Sequence, residues 1–303
     1  MRKSIIYAAV LAGAVWASAA GVQADAESYP VTVTDSLGNE ITLEEAPESI
    51  VSLGPVDTEI LFAVGAGDAV TGRTDYCNYP EEAAEVDSIG DYSNPNMELI
   101  LSKSPDLVVA SGYIDDSIRQ QLEENDIKVY VTTGNDCSLE TVKNDIETVG
   151  KLVGHEEEAA EVVTAMEQEW EELSEKLDGI TEEKTAVIDI GSLYSAGPTS
   201  LLDNSLQMIH VQNIASAADS AWPQLSAETI VEADPDVYIS LFSPLEDVLQ
   251  TAGLSDLRCL NEEGAFVFID GSSEEGDMIQ RSGPRYVEGL ELLAEKIYPE
   301  LAE

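Results

Sequence analysis

Positive charge is scarce in this chain. Its 303 residues include 14 lysines and arginines against 60 aspartates and glutamates, a formal net charge of −46. So acidic a chain repels phosphate backbones and anionic lipid, which excludes nucleic acid and stable membrane insertion as modes of partnership. The acid is spread along the chain, which describes a solvated surface rather than an acidic tail. Histidine is rarer still: His155 and His210 are the only two. No second histidine follows His155-Glu156 at the zincin spacing, and two histidines are too few for a cleft that holds bare zinc or manganese. Cysteine is limited to Cys77, Cys137 and Cys259, widely spaced and without a C-x-x-C. One disulfide could form in an oxidising compartment, and the sequence does not choose the pair. No G-x-S-x-G elbow and no Gly-rich phosphate loop with lysine occurs. Carboxylate pairs are too common here to mark a catalytic centre. The chain therefore reads as a non-enzyme with no catalytic residue, metal ligand or cofactor, an enzyme on the same scaffold being the disfavoured alternative.

Long apolar runs are confined to the start. Arg2 and Lys3, the Ala-rich stretch from Ile5 to Ala20 and the small residues around Val22-Gln23-Ala24 read as a secretory leader over residues 1–24. The stretch falls short of the ~20 residues that a membrane span needs.

Strands and helices then alternate. Val31-Thr32-Val33-Thr34 and Ile41-Thr42-Leu43 predict a hairpin about a turn at Asp35 to Asn39. Ile50-Val51-Ser52-Leu53, Leu107-Val108-Val109-Ala110 and Val129-Tyr130-Val131 read as buried strands, with helices near Asp57 to Val64, 96–103, 115–124 and 139–152. Strands resume at Ala186 to Ile190, Val237 to Leu241 and Phe266 to Ile269, and a helix from about Pro284 to Tyr298 closes the chain. Such alternation implies a mainly parallel sheet covered on both faces, the α/β class. Between the two series, Glu156 to Leu177 contains no Gly or Pro, and Ala159, Val162, Val163, Met166, Trp170, Leu173 and Leu177 recur at helical spacing. A helix of that length, ~33 Å, could tie two lobes together. The expected division is an N-terminal lobe over 25–153, a connecting helix over 154–180 and a C-terminal lobe over 181–303.

An internal repeat supports two lobes. Residues 96–111 align without a gap on residues 226–241. Glu98 falls on Glu228, Ile100 on Ile230, Leu101 on Val231 and Pro105-Asp106 on Pro235-Asp236, while Tyr92 falls on Trp222. The shared pattern is a short helix, a Pro-Asp stop and a buried strand.

At this point the residues resemble a known family, the class III solute-binding proteins of ABC importers for cobalamin, ferric siderophores and haem. The resemblance runs from about Val31 to Pro299. It is carried by Ile50-Val51-Ser52-Leu53-Gly54-Pro55, Thr58-Glu59-Ile60-Leu61, Thr74-Asp75-Tyr76-Cys77-Asn78-Tyr79-Pro80 and Gly90-Asp91-Tyr92-Ser93-Asn94-Pro95. In the second half Trp222-Pro223-Gln224-Leu225-Ser226 and Arg281-Ser282-Gly283-Pro284-Arg285 carry it. It implies two Rossmann-like lobes with mainly parallel sheets, joined by one long α-helix, with the ligand in the cleft between them. It also implies that Glu98 and Glu228 dock into arginine pockets of an ABC permease dimer that works with its ATPase subunits. One departure concerns anchoring: lipoprotein relatives carry Cys at the cleavage point, whereas Leu11-Ala12-Gly13 is followed here by Ala14. The expectation is thus an exported protein, periplasmic or secreted, with no lipoprotein cysteine.

A pocket for a large, partly apolar ligand needs aromatic and proline walls. Loops after strands and before the repeated helices offer Pro55, Tyr76, Tyr92, Tyr113, Tyr194, Trp222 and Phe242. Arg281, in a cleft motif of the family, could meet an anionic ligand group or serve structurally. The motifs look most like those of cobalamin binders, and the few arginines favour a less anionic ligand over a ferric siderophore. Haem, through tyrosine ligation of iron, is the further alternative.

Overall fold

The computed structural model describes residues 29–112, 114–134 and 137–302. The leader expected over 1–24 and the ligand residue expected at Tyr113 lie outside them.

The first half opens with β1 (Val31–Thr34) and β2 (Glu40–Leu43), an antiparallel pair. There follow β3 (Ile50–Ser52), α1 (Pro55–Ala63), β4 (Val70–Arg73), α2 (Met97–Ser102), β5 (Leu107–Ala110), α3 (Asp116–Glu123), β6 (Lys128–Val131) and α4 (Leu139–Val153). After α5 (Glu156–Leu177) the second half runs β7 (Lys184–Asp189), α6 (Leu201–Met208), β8 (Val211–Asn213), α7 (Ala227–Ala233), β9 (Val237–Ser240), α8 (Leu245–Val248), α9 (Arg258–Asn261), β10 (Phe266–Phe268), α10 (Glu274–Gln280) and α11 (Tyr286–Ile297). Each half contains one wholly parallel four-stranded sheet, ordered β4-β3-β5-β6 and β10-β9-β7-β8. Helices cover both faces, as parallel sheets require.

The repeat is realised in backbone and burial alike. Helices α2 and α7 begin at equivalent positions, and strands β5 and β9 coincide end for end. Ile100 and Ile230 are fully buried, and all four residues of each strand are buried. The structure supplies a reason for the shared Pro-Asp. Asp106 accepts hydrogen bonds from the Glu48 and Ser49 amides, both 2.9 Å, at the entrance to β3. Asp236 accepts from the Thr185 amide and hydroxyl, both 2.9 Å, at the start of β7. Each aspartate pins its strand's start to its central neighbour.

Helix α5 has the predicted limits. Ser138 and Thr141 form a capping box that starts α4, and Gly154 at φ +77° ends it, so the chain turns back within two residues. Gly150 lets the helices close: a Cβ there would lie 2.3 Å from that of Ala159. The stripe Ala159, Val163, Met166, Leu173 and Leu177 is buried against α4 and α1 of the first half and α11 of the second. One continuous apolar core therefore passes from Ile50 and Leu107 through α5 to Ile188, Ile239 and Leu290. The outer faces of the two sheets form separate clusters. Among the described residues no helix is long and apolar enough to cross a membrane.

Candidate functional site

Parallel sheets place their strand-to-helix loops on one edge, where ligands are held. Here the carboxyl ends of both sheets carry the expected aromatics. Tyr76 follows β4, Tyr194 follows β7 and Phe242 follows β9, while Tyr92 and Trp222 precede α2 and α7. All five are 40–58% exposed, which rules out core packing as their role. Tyr76 and Tyr92 meet edge to face with ring centroids 5.6 Å apart. In the second half the segment after β7 pairs with the segment before α7: Tyr194 bridges Gln224, and the Ser195 amide donates to the Pro223 carbonyl at 2.8 Å. That pairing brings Tyr194 and Trp222 onto neighbouring chains. Pro55 is half-buried at the first position of α1, where its fixed φ suits helix entry.

The Tyr76 hydroxyl donates to Asp91 at 3.2 Å. That hydrogen bond and the Asp91 charge raise the phenol pKa above its ordinary value, so Tyr76 is not disposed to ionise. Asp91 is itself held below the usual range by bonds from the Ser93 hydroxyl and amide. His155 occupies the N-cap position of α5 without a side-chain capping bond, and His210 lies between α6 and the start of β8, the end remote from the carboxyl edge. Cys77, Cys137 and Cys259 are all buried. Among the described residues no cluster of three His, Cys, Asp or Glu side chains could hold a metal ion.

Arg281, expected either to meet a ligand anion or to serve structurally, makes structural ion pairs here. It is taken up by an ion-pair cluster between the halves of the chain. Glu59 of α1, its side chain only 2% exposed, accepts from Arg281 Nη1 at 2.7 Å. It also accepts from Arg285 Nε at 3.0 Å and Nη2 at 2.9 Å. Arg281 binds Asp277 at 2.7 Å and Asn78 Oδ1 at 2.8 Å, and Asn78 Nδ2 donates to Asp277 at 2.8 Å. The guanidinium of Arg285 lies 3.6 Å over the ring of Tyr79. One buried carboxylate thus joins two arginines from the far side of the cleft, with Asn78 and Tyr79 closing the set. Sequence reasoning singles out none of Glu59, Asn78, Tyr79, Asp277 and Arg285 as site residues. The available signal is a Glu inside an apolar helix and two arginines four apart in an arginine-poor chain.

Beside Glu59, Asp57 is fully buried in the first turn of α1. Its Oδ1 accepts from the Thr132 hydroxyl at 2.8 Å, and the Ser111 amide also donates to the carboxylate. Burial, opposed by the Thr132 and Ser111 bonds and reinforced by the nearby Asp145 charge, raises its pKa from 3.8 to about 7. A raised acid holds its proton more tightly folded than unfolded. Its stabilising contribution is complete below pH 3.8 and is lost as the pH rises through about 7. Between pH 5 and 8 the wild type should lose roughly 2–3 kcal/mol more than Asp57→Asn in urea titrations. Equal losses would show that Asp57 is ionised throughout that interval.

Two α/β lobes on a shared core, bridged by one long helix and each carrying exposed aromatics at the carboxyl end of its sheet, have the architecture of a solute-binding protein. The model of the periplasmic binding protein family matches residues 50–257, and the chain belongs to that family. The uncharacterized ABC transporter substrate-binding lipoprotein YvrC of Bacillus subtilis (strain 168) is 33% identical over 319 aligned positions, covering 99% of this chain and 98% of its own length. A cobalamin-binding protein of Halobacterium salinarum is 27% identical over 292 positions, 93% of this chain and 79% of that protein. Among solved structures, the vitamin B12 binding protein BtuF of Vibrio cholerae matches with a TM-score of 0.72 at 17% identity, over 85% of this chain and 98% of that one. The apo heme-binding protein RhuT from Roseiflexus sp. RS-1 matches with a TM-score of 0.74 at 23% identity, over 84% and 99%. At those identities the structural likeness is one of fold. The chain is a substrate-binding protein of the ABC-transporter class, whose members are transport proteins rather than enzymes. One expectation is corrected. A periplasmic or secreted location with no lipoprotein cysteine is overturned by the Bacillus relative, a lipoprotein alike over nearly the whole chain.

Proposed function

We propose that the chain captures a cobalamin-type corrinoid between the lobes 25–153 and 181–303, held apart by the helical connection 154–180, and delivers it to the permease dimer. The supporting observation is an aromatic cleft whose nearby cation is already neutralised. All five described arginines are engaged by the protein. Arg73 donates to the Thr74, Ala83 and Ala84 carbonyls, Arg119 pairs with Asp116 and Glu123, and Arg258 with Asp234, Asp236 and Glu262. Arg281 and Arg285 belong to Glu59. An anionic chelate would enter without a counter-charge. A corrinoid, with apolar faces and an amide-bearing rim, asks instead for stacking surfaces and neutral hydrogen bonds. The hydrogen bond from Tyr76 to Asp91 argues against a tyrosinate ligand for iron. Pro55, Tyr76, Tyr92, Tyr194, Trp222 and Phe242 are the proposed contacts, and exposed Glu98 and Glu228 the proposed docking carboxylates.

Cyanocobalamin, haemin and ferrichrome titrated against purified protein test this reading. Cyanocobalamin should bind with a Kd of ~1 μM or tighter, and Trp222→Ala or Tyr92→Ala should weaken it about tenfold to a hundredfold. Absence of cyanocobalamin binding below ~10 μM removes the corrinoid. Tight binding of haemin or ferrichrome in its place selects the corresponding iron chelate.

A further inference from the structure

The large apolar side chains left exposed fall into two sets. The aromatics lie at or after strand ends, or just before α2 and α7, on the cleft side. Of the four aliphatics, Leu99, Leu101 and Val231 lie on α2 and α7, and Leu37 lies in the turn between β1 and β2. Leu101 and Val231 are equivalent positions of the repeat, 38% and 44% exposed. Each lies three residues after the matched glutamate, Glu98 or Glu228, and therefore on the same helix face. The opposite face is anchored by Ile100 and Ile230. Neither glutamate has an ion-pair or hydrogen-bond partner among the described residues.

Both helices are built to hold that face still. The Asn96 side chain accepts from the Leu99 amide at 3.1 Å, and the Ser226 hydroxyl from the Thr229 amide at 3.0 Å. Behind each helix the Pro-Asp aspartate fixes the following strand. The chain thus presents, twice and in one register, a carboxylate with an aliphatic side chain beside it on a rigid support. In a surface so acidic, an exposed aliphatic at both equivalent positions is a feature that solvation does not call for.

We propose that Leu101 and Val231 are the apolar half of a two-point docking surface for a two-fold symmetric membrane partner. Each partner half offers a cation for the carboxylate and, next to it, an apolar pocket for Leu101 or Val231. This rests on the docking reading of Glu98 and Glu228. The carboxylates steer and orient, and the aliphatics hold the complex once water is excluded.

The test titrates the purified chain onto nanodiscs carrying the host's permease–ATPase complex, at 0.1 and 1 M KCl, with thermal unfolding as the folding control. Leu101→Gln/Val231→Thr should bind at least tenfold more weakly at both salt concentrations, with the wild-type salt dependence preserved. Glu98→Gln/Glu228→Gln should weaken binding at 0.1 M and flatten the salt dependence. If the aliphatic variant binds like wild type while the glutamine variant fails, the apolar pockets are overturned and the carboxylate docking stands. If neither variant is weakened, both fall.

Discussion

Glu59→Ala is expected to cost about 3–5 kcal/mol of folding stability. Removing this carboxylate leaves Arg281 and Arg285 facing each other with no charge between them, both nearly inaccessible to water. Breaking a buried ion pair from one side costs far more than the pair contributes, because the remaining charge stays desolvated. Asp277 would still hold Arg281, and Tyr79 would still lie under Arg285, so the loss should fall short of full unfolding. Glu59→Gln keeps the shape and loses the charge, and should cost nearly as much. Urea unfolding followed by circular dichroism measures it. A loss under ~1 kcal/mol would mean that water reaches the arginines and that the cluster is a surface network. Adding Arg281→Met and Arg285→Met to Glu59→Met should recover most of the loss, as apolar replacements of whole buried networks do.

Salt should matter almost as much. With a net charge of −46 the folded chain repels itself, and compaction brings the charges closer. The crowding is visible between α5 and α11. Glu169 has its pKa raised by burial and then by Glu288, Glu291 and Glu172. Glu288 is raised by burial and by Glu59, Glu274 and Glu291, against the lowering pull of Arg285. Lys176 relieves Glu291, and this corner has few other cations. Going from 0.01 to 1 M KCl shortens the screening length from about 30 to about 3 Å. Relief of a few kcal/mol of repulsion should raise Tm by on the order of 10 °C in a chain of this size. Lowering the pH towards 5 at low salt should act in the same direction, since raised carboxyl groups stabilise the fold while protonated and lose that contribution as the pH rises. Calorimetry at the two salt concentrations decides: a Tm shift under ~3 °C would mean that the acids are spaced widely enough not to repel. Glu288→Gln should raise Tm at low salt and do little at high salt.

The parts of this architecture that are legible in the sequence are those whose signal is local. Helix α5 shows its limits because twenty-two residues without Gly or Pro carry one apolar stripe. Strands β5 and β9 show theirs because both faces are covered and all four residues of each are buried. Strands β4 and β8 do not announce themselves. Each lies at the edge of its sheet, and Val70-Thr71-Gly72-Arg73 and Val211-Gln212-Asn213 alternate buried with more exposed positions over too few residues to read. The exposure of the loop aromatics is legible because loops after parallel strands are where large apolar side chains have a reason to be exposed. The cluster around Glu59 is not, since its arginines lie 222 and 226 residues away in the chain. Arg281 looks like a ligand group because the sequence shows a charge and not the carboxylate that neutralises it.

The apolar core runs unbroken from one lobe through α5 to the other. Close-packed interiors do not stretch, so this shared packing resists relative motion of the two lobes. The lobes therefore act as the fixed arms of a gauge rather than as jaws. On the corrinoid reading proposed above, a cargo between such arms would be selected first by its girth.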